Sequence, residues 1–239
     1  MENSIMATAT APITESRSKP DVAARSSVVI HDVTWADYEA MLKIVGERPI
    51  RINYDRGGME IMSPMNRHGN ESYLLGCMVD VLVVGLRIPF LPADPVTYRR
   101  EDLEKGIEPD KSYHFRENVP RVRGKDKLDL TVDPPPDLAV EVDVTSSSIP
   151  RLPIFAALGI PEVWRYDGDE LQFLHLQPDG SYQNRDHSLN FPIFPLSDAA
   201  RFLEEGQTAD VMEWILTFQA FVREVLVPLQ ARPDEVEDK

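Results

Sequence analysis

Leu74, Cys77, Met78, Val81 and Leu82 recur at the i, i+3, i+4, i+7, i+8 spacing of one buried helical face. The stretch after Ser63-Pro64 is therefore predicted to be a long helix that stops near Gly85. A shorter helix is predicted over 34–45, where Thr34 caps the first turn and Asp37 reaches back to it. Between these helices, 51–55 and 59–63 read as two short strands joined by the turn Arg56-Gly57-Gly58. Residues 88–144 read as β-rich, with strands near Phe90 and over 96–100, 107–110 and 137–144. A helix over 150–158 ends at Gly159, a strand follows at 162–166, and Asp167-Gly168-Asp169 turns the chain into another at 170–176. The last helix, 209–227, carries Val211, Ile215, Phe218, Val222 and Val225 on one side and is closed by Pro228. This order predicts an α/β or α+β sandwich around one sheet.

The ends and the bulk properties narrow the picture. Residues 1–27 have few large apolar groups and are expected to be disordered, and 231–239 read as an acidic flexible tail. The remainder, 28–230, has no evident linker or repeat and suits one domain with one core. A single cysteine, Cys77, leaves no disulfide framework and no cysteine zinc site. No apolar run approaches the ~18 residues of a membrane span, and no signal-like core precedes the domain, so a cytoplasmic protein with no membrane role is expected. The formal charge of −15 repels phosphate backbones unless a local basic patch overrides it.

Chemistry is concentrated in Asp137-Leu138-Ala139-Val140-Glu141-Val142-Asp143-Val144. Alternation on a strand puts Asp137, Glu141 and Asp143 on one face and the leucine and valines on the other. Clustered carboxylates repel unless protons, solvent or a cation separate them, and magnesium suits one or two carboxylates plus water and phosphate oxygens. The alternative is an antiparallel strand with one solvated face. Upstream, Glu108-Pro109-Asp110 delivers a further acid at a strand exit, where a turn-forming role is the competing account.

These residues carry a family resemblance. Met62-Ser63-Pro64 with His68, then Glu108-Pro109-Asp110, then Pro136 to Val142 with Thr145-Ser146-Ser147 behind, and Ala156 to Trp164, resemble the Uma-two family of endonucleases over roughly 30–180. The resemblance implies a restriction endonuclease-like fold, a mixed central sheet flanked by helices. It implies a divalent cation, Mg2+ or Mn2+, held by Asp110, Glu141 and the backbone carbonyl of Val142 for hydrolysis of DNA phosphodiester bonds. His68, with Glu71 three residues on, is placed by the resemblance near the site; a helix-end histidine is the alternative.

That fold usually has a lysine two residues after the second acid, whereas this chain has Asp143, and no lysine lies between Lys127 and Lys239. Arg151 is the nearest cation; it stays charged, so it can stabilise phosphate but is a poor proton acceptor. The candidate catalytic set is thus Asp110, Glu141, Asp143, Arg151 and His68. Lys111 to Lys127 is locally basic, and Arg121, Arg123, Lys125 and Lys127 are candidate nucleic-acid contacts. Three readings stay open: a metal-dependent endonuclease, a catalytically degenerate relative that binds nucleic acid or a protein, and an acidic interaction module. The apolar face of the last helix would serve either a homodimer, giving two centres for two strands, or the chain's own sheet.

Overall fold

The computed structural model describes residues 27–62, 68–125, 127–143 and 149–230, with only the backbone of His68 and Gly69. It contains β1 (Ser27–Ile30), α1 (Trp35–Val45), β2 (Arg51–Asp55), β3 (Gly58–Met62), α2 (His68–Gly85), β4 (Phe90–Pro92), β5 (Tyr98–Arg100) and β6 (Lys105–Ile107). There follow β7 (Lys111–Phe115), the single turn α3 (Val119–Val122), β8 (Leu138–Val142), α4 (Leu152–Ala157), β9 (Glu162–Tyr166), β10 (Leu171–Leu176) and β11 (Tyr182–Arg185). The chain ends in α5 (Leu196–Gly206), α6 (Val211–Phe221) and, after a wider turn over 222–226, α7 (Val227–Gln230).

Where the sequence suggests one sheet, there are two. The first runs β1-β3-β2-β6-β5 and the second β11-β10-β9-β8-β7-β4. All pairings are antiparallel except β8 with β9, which are parallel and joined across α4. That crossover is why β8 is buried on both faces, a feature that rules out the solvated-face alternative for its acid, Glu141. The fold is α+β, with helices on both layers, as a restriction endonuclease-like domain requires.

Three apolar clusters hold the layers. The largest joins α2, α5 and α6 to the face of the second sheet bearing Leu138, Val140, Trp164 and Phe173. A second fills the space between the sheets, bringing Tyr98 and Ile107 against Ala139, Ile154 and Phe155. A third seats Tyr38 of α1 on Ile52, Tyr54 and Met59 of the first sheet. Thr34 caps α1 with a capping box to Asp37, as its sequence signature implies.

Several elements depart from the expectation. β1 lies where disorder was expected to give way to the domain, and β7 lies inside the segment read only as basic. The strand expected to end at Asp110 ends at Ile107, and α5 and β11 were not anticipated. On the last helix the buried stripe is Trp214, Phe218, Val222 and Leu226, while Val211 is 37% and Val225 45% exposed. Pro228 does not close it, because a proline's missing N–H is tolerated in the first turn of α7. The stripe covers the chain's own core: Trp214 Nε1 donates to the Phe202 carbonyl at 2.8 Å.

Candidate active site

Asp110 stands where the chain leaves the first sheet and enters the second, between the end of β6 and the start of β7. β7 and β8 pair with Lys111 opposite Val140, so the next step of the same register sets Asp110 beside Glu141. Asp110 Oδ2 accepts from the Val142 N–H at 2.7 Å, which locks the carboxylate onto β8. Both acids are nearly buried, Asp110 at 9% exposure and Glu141 at 1%.

Arginines from three different elements meet these acids. Arg51, opening β2, pairs with Asp110 Oδ1 and lies 3.6 Å from Glu108 Oε1. Arg151, whose carbonyl accepts the first N–H groups of α4, pairs with Glu141 Oε1 and also reaches Met62 Sδ at 3.0 Å. Arg165 of β9 stands in register with Glu141 and lies 3.5 Å from Asp143 Oδ2. Directly opposed residues on paired strands share a face, so Glu141 and Arg165 point to one side. Glu141 Oε2 is buried and accepts no hydrogen bond. A buried carboxylate oxygen with unmet acceptor capacity is costly unless a cation or donor completes it. Beside Asp110, that oxygen fits a hard divalent cation.

The first sheet turns a polar face toward this site. Arg51 opposes Met62, and Asn53 opposes Glu60, so all four share one face. Asn53 and Glu60 are fully buried, and Lys105 Nζ sits 2.5 Å from Asp55 Oδ1 further along the same face. Lys105 is thus committed to Asp55, at the far end of β2 from Arg51.

The structure brings Asp110, Glu141, Asp143, Arg151 and the backbone of Val142 together. It separates Asp137, which accepts from Phe115 N at 2.6 Å and Asn118 Nδ2 at 2.8 Å and so anchors the exit of β7. Burial raises the Asp137 carboxyl above its usual range, its two donors only partly offsetting this. His68 begins α2, but its side chain, like Thr145-Ser146-Ser147, lies outside the described residues. Glu71 lies in the first turn of α2, with a buried Oε2 that accepts no hydrogen bond. Among the described residues no three His, Cys, Asp or Glu side chains converge on one point, so the protein's own share of a cation shell would be two carboxylates.

The basic segment divides. Lys111 turns to the α2 side and lies 3.4 Å from Asp94 Oδ2. Arg116 donates to the Asn190 carbonyl, while Arg121 is exposed and donates to Asn118 Oδ1. Arg123 is exposed, and Lys125 pairs with Asp133. Lys125 and Lys127 line a cleft of about 560 Å³ between α1 and the β4 edge, together with Lys43, Arg99, Glu108 and His114. Arg51, Arg165 and His114 were not anticipated from sequence. Arg51 lies 59 residues from Asp110 in an unremarkable strand, and only register connects Arg165 to Glu141.

Two adjoining acids, one at the entry to β7 and one on β8, which crosses to a parallel partner, call for comparison with nucleases. The family model Uma2, described as "Putative restriction endonuclease", matches residues 35–204, more than two thirds of the chain. This chain belongs to the Uma2 family. The Uma2 match runs from the first residue of α1 into α5, and so takes in the second sheet, all of the first but β1, and every acid and arginine of the site. No curated protein matches this Uma2 chain. Among its described residues no helix is long and apolar enough to cross a membrane.

Proposed function

We propose that this Uma2 protein is a divalent-metal-dependent endonuclease that hydrolyses DNA phosphodiester bonds at the Asp110–Glu141 site. The observation that carries the reading is the buried Glu141 Oε2, which accepts no hydrogen bond, beside an Asp110 fixed by the Val142 N–H. Asp110, Glu141 and the Val142 carbonyl would hold Mg2+ or Mn2+, which when bound supplies Lewis-acid polarisation of phosphate and a water of lowered pKa. Arg151 and Arg165 flank that position and offer planar, permanently charged forks to the phosphate oxygens. They take over the charge-stabilising part of the absent lysine. Asp143, in the lysine's place, is an acceptor on the face shared with Glu141, suited to orient water and take its proton.

The degenerate alternative draws support from the same arginines, since both acids already have a counter-charge. Plasmid cleavage with Mg2+ or Mn2+, measured for wild type, Asp110→Asn and Glu141→Gln, separates the two. Cleavage lost in both variants, with circular dichroism unchanged, is expected. A wild type that binds DNA in a salt-dependent way yet never cleaves it would establish the degenerate reading instead. A homodimer with two centres belongs to the nuclease reading, the exposed Met212 and Leu216 of α6 offering apolar surface for it. Sedimentation of the intact protein tests it.

A further inference from the structure

β7 alternates: Tyr113 and Phe115 enter the large core beneath α2, so Ser112 and His114 face the other way, in one column with Asp110. His114 is fully buried, and neither ring nitrogen has a hydrogen-bond partner. The residue is among those lining the cleft between α1 and β4, whose volume of about 560 Å³ falls within the ~300–1,000 Å³ usual for small-ligand sites. Leu42, Ile50, Leu91 and Pro92 supply apolar wall, while Lys125 and Lys127 stand at the exposed side. The cleft adjoins the acid site through one residue, since Glu108 lines it and Arg51 bridges Glu108 to Asp110.

We infer that this cleft seats one unpaired nucleotide of the substrate strand, its base edge on His114 and its phosphate on Lys125 and Lys127. A buried imidazole with one donor and one acceptor matches the mixed edge of a nucleobase. A phosphate there would need a cation, and burial drives the His114 pKa down to about 4, so the ring is neutral at working pH. The lysines carry the opposite preference, for phosphate. A base still paired in a duplex has its edge taken by its partner strand and cannot reach a fully buried ring, so the strand offered must be single or locally opened. The substrate class is then single-stranded or unpaired DNA. This rests on the nuclease reading for the identity of the strand, but its test does not require cleavage.

Fluorescence anisotropy in EDTA, with a labelled single-stranded DNA octamer and the same octamer as a duplex, reads the site directly. Single strand is expected to bind at least about tenfold more tightly than duplex, and His114→Gln to weaken the single strand alone by about fivefold, a lost hydrogen bond or two. Lys125→Glu with Lys127→Glu, both on exposed side chains, should weaken it further and serve if His114→Gln does not fold. Equal affinity for the two forms, or single-strand affinity indifferent to the lysine changes, overturns the inference even if the protein cleaves DNA. Selective single-strand binding without cleavage in Mg2+ upholds the cleft and removes the nuclease reading alone.

Discussion

Glu141 and Arg151 retain 2% and 9% of their side-chain exposure, and each neutralises the other. Removing one partner of such a buried pair costs about 3 kcal/mol, because the survivor keeps its desolvation penalty. Glu141→Ala should therefore lower the melting temperature as well as abolish cleavage, whereas Glu141→Ala with Arg151→Met should regain most of the stability and none of the activity. Differential scanning calorimetry of the two variants checks this. His114 titrates differently from an exposed histidine. Its folded pKa of about 4 lies below the ordinary 6.5, so the unfolded chain binds the extra proton first. Its contribution is whole above pH 6.5 and is lost as pH falls toward 4, up to about 3 kcal/mol. Wild type should lose more stability than His114→Leu over that interval in urea melts, the nearby Asp133 carboxylate softening the difference. Glu141 was legible in sequence because its whole strand alternates. His114 was not, because the lysines and arginines after it make β7 look like a charged loop.

At the level of elements, α1 lies on the first sheet so closely that Tyr38 leaves no room for a side chain at Gly106. A Cβ on Gly106 would come within 2.6 Å of Tyr38 Cζ. Tyr38 is fully buried and stacked on Tyr54 at 4.9 Å, so it has nowhere to retreat. Gly106→Ala should destabilise the protein by about 2 kcal/mol through this overpacking, seen as a drop in melting temperature. The displaced β6 also leads directly to Asp110, so residual cleavage should fall in the folded fraction. A second fastening is Glu162, fully buried at the start of β9, which accepts from Trp164 Nε1, Asn190 Nδ2 and the N–H groups of Leu189 and Asn190. Long helices and the parallel-sheet strands show in the sequence because their apolar runs are long enough to have a period. The three-residue strands β4, β5 and β6 do not, and the division into two sheets depends on pairings such as Tyr54 with Gly106, across 52 positions, that no local pattern encodes.

For the molecule as a whole, a charge of −15 sets a repulsive field against DNA, against which Arg51, Arg151 and Arg165 at the acid site and Lys125 and Lys127 at the adjoining cleft are local exceptions. The family and the two acids were readable from motifs in order along the chain. The arginines that answer those acids come from β2, the residue before α4, and β9, and meet only in three dimensions. Their presence sets a rule of assembly. On the nuclease reading, each guanidinium that turns from a carboxylate to a DNA phosphate leaves that carboxylate's charge to a divalent ion, so phosphate and ion would favour one another's arrival. By thermodynamic reciprocity the two affinities rise by one common factor. Manganese titrated into the protein alone should bind weakly, and chelator should leave its melting temperature unchanged. With a non-cleavable phosphorothioate DNA present the same titration should tighten about tenfold or more, roughly 1.4 kcal/mol of coupling. On the nuclease reading the protein would wait in a self-neutralised state until DNA, by drawing off the arginines, opened the acids to the ion.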